Sequence, residues 1–498
     1  MQIRSNKKFK NSQIFLIQKS QNRYQSKRII TSKLKSLSNK SGQVTVFLTL
    51  ILCVLLTSLF AMMEVVRYEQ AKGRVSHLGL GVVEHIMADY QVDLADSYHI
   101  YALDQNYLGQ GNEMMNHRSW DYLEQNLMNI NLFGSRSGLY QFSVVDSQVQ
   151  PIDFLYSSGC HTWKQQIKNW MKDTIIPKNN RVLRSKIKSK RSNKNTTNHG
   201  VTESETIIDN IDPRELIEEI KTLGVLTVAS HDQLPLSKKV KQIQNKPSSN
   251  LKWKADSSSV WDKIEQKTAV ECYIFSHFQS ALSIVKEEET VYENEIEYLI
   301  SGKSSDYLCL AEVTKKITLL RLPINTAAIM KDSLKKGQAM TAATIICTLS
   351  GQLEAVEGVQ KGILLAWAYG ESVGDVKCLL KGEKVPLTKN KNNWKVSFSQ
   401  LFYLKLANLK KSKEGMNYED YLKVLLATIP EKKLYFRMLD LIQGNINLKH
   451  PEFKIEDCIT TYQVSAQIVL DRRFFKIPIG SKKEYQFYIN EIGSYQYE

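Results

Sequence analysis

The sequence predicts an α+β protein carried on a single N-terminal membrane helix that continues outward as a stalk. Three observations predict it. Gln43 to Met63 holds 21 residues without a charge, and a helix needs about 20 to cross a bilayer core. Apolar residues then recur at steps of three and four past the span. Strand-like alternation returns around residue 140 and again at the C-terminus, with helical patterning between.

The arm before the span, residues 1–42, carries eleven Lys/Arg and no Asp or Glu. By the positive-inside rule it is expected to stay cytoplasmic and to lie against the anionic inner leaflet. The rest of the chain is then expected outside the cytoplasm. The run is too long for the apolar region of a secretory signal, about 7–15 residues, and no A-x-A-like site closes it. Residues 43–66 form the predicted transmembrane helix.

Net charge is +16 over 498 residues, but it is unevenly placed. Residues 1–42 contribute +11, residues 64–160 contribute −7, and residues 163–200 contribute +10. Because the basicity sits in an arm and a linker, nucleic-acid binding is excluded as a reading. The seven cysteines, at 53, 160, 272, 309, 347, 378 and 458, include no C-x-x-C pair and no zinc spacing, and the sequence singles out no disulfide. No cofactor or metal site is expected.

Residues 67–177 read as the stalk and a first α+β segment. Tyr68, Ala71, Val75, Leu78, Val82, Ile86, Tyr90 and Leu94 form one helical stripe, expected to pack on the protein's own outer region rather than on another molecule. Gly73, Gly79 and Gly81 could bend the rod. Tyr98–Leu103 and Leu139–Val149 read as strands. Trp163–Ile176 reads as a helix stopped by Pro177. Residues 178–259, rich in Lys, Arg, Ser and Asn, read as a solvated linker with one helix at Pro213–Leu223.

Residues 260–447 read as a helical domain. Phe275, Phe278, Leu282 and Val285 begin one face, and the acidic run Glu287–Glu297 reads as a solvated helix face. Ala339–Leu349 and Gly362–Tyr369 are apolar but too short to span a membrane, so both read as buried core helices. Asn417 is placed to cap a helix opened by Glu419 and Asp420. Residues 448–498 read as a β segment, with strands at Cys458–Leu470 and Glu484–Ile489. Strands from both ends of the outer region are expected to join one small antiparallel sheet.

The join Ser41-Gly42-Gln43-Val44-Thr45-Val46-Phe47-Leu48-Thr49-Leu50, the close Glu64-Val65-Val66-Arg67 and the helix after it resemble the N-termini of TadE/TadG-like pseudopilins of the Flp/Tad pilus machinery. The whole chain resembles an uncharacterised family of Gram-positive, clostridial-type surface proteins with that N-terminus. Its matching stretches are SYHIYALD (97–104), QIKNWMKDTIIP (166–177), YENEIEYLISGKSSD (292–306), LLAWAYGESVGDVKCLLKGEKVPL (364–387) and YEDYLKVLL (418–426). The resemblance implies a membrane location and pilus or cell-envelope assembly partners met through the N-terminal helix, and no activity. It also implies a processing site between Gly42 and Gln43. Prepilin peptidases usually want Glu five residues after the Gly; Phe47 stands there, so an uncut, permanently anchored chain is expected. Glu64, at the far end of the span, is expected to act as an interfacial charge near Arg67 and Lys72.

Two motifs invite other functions. Gly370-Glu371-Ser372-Val373-Gly374 fits G-x-S-x-G, and Asp440 and His450 follow in hydrolase order. A cell-surface serine hydrolase using Ser372, Asp440 and His450 is therefore the alternative function. The approach ILLAWAY lacks the strand that an elbow needs, so close helix packing is the expected reading. Gly302-Lys303-Ser304 resembles a P-loop end, but Glu297 stands where the first Gly belongs, and a polar turn is expected. A surface sensor that signals through the basic arm is a further alternative. A structural, non-enzymatic assembly component is the leading expectation.

Overall fold

The computed structural model describes residues 5–111, 113–129, 140–189, 243, 246–250, 260–283, 289–403, 414–471 and 484–495. The chain divides into two compact units: Met1–Val82 with Trp120–Ser147 and Ser465–Asn490, and Val83–Ser119 with Gln148–Val464 and Glu491–Glu498.

Helix α1 runs from Ser5 to Met87. The basic arm, the apolar run and the stripe are thus one helix. It stops seven residues short of the expected end, and Leu94 belongs to a separate helix, α2 (Val92–Tyr98). The stripe is buried as expected at Ala71, Val75, Val82 and Ile86, so that face is covered by the protein itself. Gly81 stays helical, and a Cβ there would strike the Tyr122 hydroxyl on α3 (Met114–Asn129). Close packing, rather than bending, explains that glycine.

The strand expected at Tyr98–Leu103 is corrected. Tyr98 ends α2, and His99 takes a left-handed φ of 52°. The His99 N–H reaches Ala95 O and the Ile100 N–H reaches Leu94 O, closing the helix without glycine. Only Leu103–Asp104 is strand, β1. It pairs antiparallel with β3 (Cys458–Asp471), Leu103 opposite Ile459. β2 (Phe142–Phe154) also pairs with β3, and so does β4 (Glu484–Ser494). Strands from both ends of the sequence that follows the apolar run thus share one four-stranded sheet.

Helix α4 (Ser157–Ser189) opens with left-handed residues Ser158, Gly159 and Cys160 and continues across Pro177. The expected stop is therefore corrected. A proline removes one backbone bond and crowds the preceding turn, which kinks a helix without necessarily ending it. Beyond Ser189 most of the predicted linker, including Pro213–Leu223, lies outside the described residues; so do Val285, Glu287 and Glu288.

The second unit continues through α5 (Pro247–Asn250), α6 (Val260–His277), α7 (Glu295–Ser301), α8 (Asp306–Ile329), α9 (Ser333–Ser350), α10 (Val356–Leu380), α11 (Phe398–Tyr403), α12 (Tyr418–Ala427) and α13 (Glu431–Ile446). Its largest core gathers Trp163 and Trp170 of α4, Tyr273 of α6, Leu299 of α7 and Leu439 of α13. Trp163 stands edge-on to both Tyr273 and Tyr435. A second core joins Ile329, Ala339, Leu364, Trp367, Trp394 and Leu401. α10 packs along α8 and α9.

Two expectations about this unit change. α9 buries only Ala339, Ala343 and Cys347, while Leu349 is 82% exposed. It is an amphipathic helix lying on α10, because one narrow stripe of small residues suffices for that contact. Glu295 and Glu297 are fully buried rather than solvated. By contrast the Asn417 cap forms as expected: its side chain accepts from the Asp420 N–H at 2.8 Å, and Asp420 accepts from the Asn417 N–H at 3.0 Å.

Candidate functional site

The first candidate is the foot of α1 in the first unit. Between Val44 and Met63 the apolar side chains are exposed, and among the described residues this is the one helix long and apolar enough to cross a membrane. At Glu64 the helix turns abruptly from exposed to buried. Glu64 Oε1 accepts from Arg67 Nη1 at 3.0 Å, with both side chains buried. Arg67 Nη2 also donates to Asp471 O at the end of β3, at 2.7 Å. Tyr68 packs on Tyr485 and Phe487 of β4, with ring centroids 5.0 and 5.5 Å away. Arg67 and Arg74 lie over the Tyr140 ring at 5.8 and 4.8 Å. Glu64 was expected to be an interfacial charge near Arg67 and Lys72. It does stand beside Arg67, but as a buried partner, and Arg67 in turn reaches the end of β3.

The second candidate is an ionic cluster inside the second unit. Glu371 and Asp375 lie one turn apart on α10, Arg321 comes from α8, and Lys389 and Lys395 come from the loop that returns along α10. The side chains of all five are shielded from solvent. Asp375 Oδ2 takes Arg321 Nε at 3.1 Å and Nη2 at 3.0 Å, plus Asn325 Nδ2 at 3.2 Å. Asp375 Oδ1 takes Lys389 Nζ at 2.7 Å and stands 3.6 Å from Lys395 Nζ. Glu371 Oε1 takes Lys389 Nζ. The Glu371 carboxylate is also cradled by backbone: the Lys395 N–H reaches both oxygens at 3.0 Å and the Val396 N–H reaches Oε2 at 2.8 Å. Burial pushes the Glu371 carboxyl above its ordinary range, Lys389 pulls it down, and Asp375 pushes it up again. Arg321 Nη1 extends the network to Tyr421 Oη at 3.3 Å.

A third buried acid, Glu297 of α7, has no cation paired with it among the described residues. Its Oε1 accepts from the Ala281 N–H at 3.1 Å and Tyr418 Oη at 2.8 Å, while Oε2 has no hydrogen-bond partner. Burial lifts its pKa to about 7.

The residues of the alternative hydrolase are not brought together. Ser372 is buried in the middle of α10, donating to Ala368 O at 2.7 Å and accepting from Asn325 Nδ2 at 2.9 Å. Asp440 accepts from the Ser248 N–H at 3.1 Å. His450 Nε2 faces Asp93 at 3.2 Å. No strand leads into Ser372, so the elbow geometry is missing. Gly302 is the left-handed cap of α7, which makes Gly302–Ser304 a turn as expected. Gly42 and Gln43 lie within the helical backbone of α1. All seven cysteines are free thiols.

The apolar helix was legible in the sequence, and the ionic cluster was not. The available signal was a set of charges inside apolar runs: Arg321 in ITLLRLPI, and Glu371 with Asp375 at i and i+4 in LLAWAYGESVGDV.

Helix α1 is apolar and long enough to cross a bilayer, and Arg67 ties it to the end of β3 in an α+β fold, which suggests a protein of the membrane-anchor class. Residues 201–470 match the model of a family of unknown function, DUF5702, and the chain belongs to that family. The matched range takes in the ionic cluster and Glu297 and leaves out α1. No curated protein and no solved structure matches the chain.

Proposed function

We propose that the chain is a membrane-anchored structural or assembly component of a cell-envelope complex, pseudopilin-like in its N-terminal helix and of the Tad-pilus type. The carrying observation is the foot of α1. The exposed apolar run ends in the buried Glu64–Arg67 pair, which ties the helix to Asp471. Such a junction passes force and orientation from the bilayer to the fold, as a subunit of an envelope assembly requires. A flexible tether would suit a diffusing enzyme better. The eleven cations of residues 1–42 support a cytoplasmic N-terminus, with the sequence beyond Met63 outside.

Partners would meet the face of α1 that the protein leaves uncovered, where Val65 is 61% and Leu80 is 55% exposed. Two measurements on intact cells test the reading. External protease should remove sequence beyond Met63 and spare the basic arm. A photo-crosslinking residue at Leu80 should capture a second membrane protein with a pilin-type helix. Protection of the folded units from external protease, or a Leu80 probe that forms no protein adduct, would refute the proposal.

A further inference from the structure

Lys389, Glu371 and Asp375 place an amine, a carboxyl group and a base within hydrogen-bonding reach in a site closed to water. We propose that Lys389 Nζ and the Glu371 carboxyl condense to an intramolecular isopeptide bond, with Asp375 as the proton carrier. The inference does not depend on the membrane-assembly reading.

Each requirement of the reaction has a residue. The nucleophile is Lys389 Nζ, held between Glu371 Oε1 and Asp375 Oδ1, the latter at 2.7 Å. The electrophile is Glu371 Cδ, one bond beyond Oε1. The developing oxyanion is Oε2, which already takes the Lys395 N–H at 3.0 Å and the Val396 N–H at 2.8 Å. Donors aimed at that oxygen are the arrangement that stabilises a tetrahedral intermediate. The base is Asp375, fixed from its other oxygen by Arg321 Nε, Arg321 Nη2 and Asn325. Burial, which pushes the Glu371 carboxyl upward, favours the protonated acid over the unreactive carboxylate.

The step balances without a co-reactant. One proton passes from the Lys389 ammonium to Glu371 Oε1, giving a free amine and a carboxylic acid. The Nζ lone pair forms the N–Cδ bond, and the carbonyl electron pair moves onto Oε2. Asp375 Oδ1 takes a second proton from Nζ and returns it to the departing Oε1 hydroxyl. The Cδ–Oε1 bond breaks, and one water leaves. Ammonium plus carboxylate has become amide plus water.

Condensation of these groups is unfavourable between separate molecules in water. Two groups held in contact behave as if at about 10⁵–10⁸ M, which takes much of the entropic barrier out of the step. The product also suits the site. The amide oxygen keeps the Lys395 and Val396 donors, the amide N–H keeps Asp375, and a buried ammonium and carboxylate are replaced by a neutral group. The link would staple α10 to the loop that carries Trp394.

Mass spectrometry of the purified full-length protein decides the matter. The wild type should be lighter than its sequence by one water, judged against Lys389→Met after allowing for the substitution. Trypsin should yield a branched peptide in which Gly362–Lys377 is joined to Val385–Lys391, with fragment ions placing the branch at Glu371. Asp375→Asn should leave most molecules unlinked. A wild type at full sequence mass with both peptides separate would overturn the proposal. So would a branch at Asp375, or a Lys389→Met protein that retains the loss of water. Because the wild type alone carries the decisive result, a variant that fails to fold leaves the test intact.

Discussion

Glu297 should make the second unit less stable as pH rises through neutrality. The carboxyl is fully buried and accepts one N–H and one phenol, and among the described residues no cation is paired with it. Its pKa rises from 4.5 to about 7 in the fold. Between these values the folded state binds more protons than the unfolded chain, so stability declines with increasing pH. The contribution is fully present below about pH 4.5 and is lost as pH passes about 7. At 1.36 kcal/mol per unit, the whole excursion is worth about 3 kcal/mol. Glu297→Gln keeps the Oε1 acceptor and cannot ionise. Denaturant melts of the detergent-solubilised protein from pH 5 to pH 8 should show the variant gaining about 3 kcal/mol relative to wild type across that range. For a unit as large as this one that is a relative shift of roughly 4 °C in Tm. A difference between the two proteins that stays constant with pH would refute the reasoning, whatever its size.

Arg67→Met should leave Glu64 buried without its cation, at a cost of about 3–5 kcal/mol. Limited proteolysis of the first unit should accelerate, and Glu64→Gln on the same background should restore much of the resistance. Asn417→Ala should cost about 1 kcal/mol by removing the capping box of α12, with faster hydrogen exchange at the Asp420 amide as the readout. At Gly415 the backbone has φ of 119°, and a Cβ would strike the Val385 carbonyl. Gly415→Ala should therefore lower stability by more than about 1 kcal/mol and break the Val385–Met416 bridge, whereas an unchanged melt would show that the loop can yield.

Much of the fold was legible because its signals are periodic and local. The exposed apolar part of α1 shows as an uncharged run, the stripe from Ala71 to Ile86 as a 3.6 period, and β3 as alternation that the structure preserves. The Asn417 box is a four-residue signal, and it formed as read. What the sequence hid is set by contacts far along the chain. YHIYAL alternates like a strand, yet it opens in α2 because His99 accepts a left-handed turn that allows Leu94 and Ala95 to close the helix. Pro177 looked like a stop, but both α4 and α8, which contains Pro323, carry a proline within the helix. At the end of the apolar run Glu64 is buried against Arg67, and that arginine's second partner, Asp471, lies some four hundred residues later.

The buried acids show the limit of reading charge from sequence. Glu371 and Asp375 at i and i+4 describe a polar face, and Glu295 with Glu297 describes an acidic run; both patterns ordinarily point to water. Burial alone does not decide what such a group does, since Glu371 and Glu297 are equally closed off. Their neighbours decide. Glu371 meets an ammonium and two backbone N–H groups, so opposing influences act on its proton. Glu297 meets one N–H and one phenol and is left near neutrality as a weak acid. The first site therefore balances charge within itself, and the second is left to titrate. That division follows from Lys389 and Tyr418, which lie 18 and 121 residues from their respective glutamates.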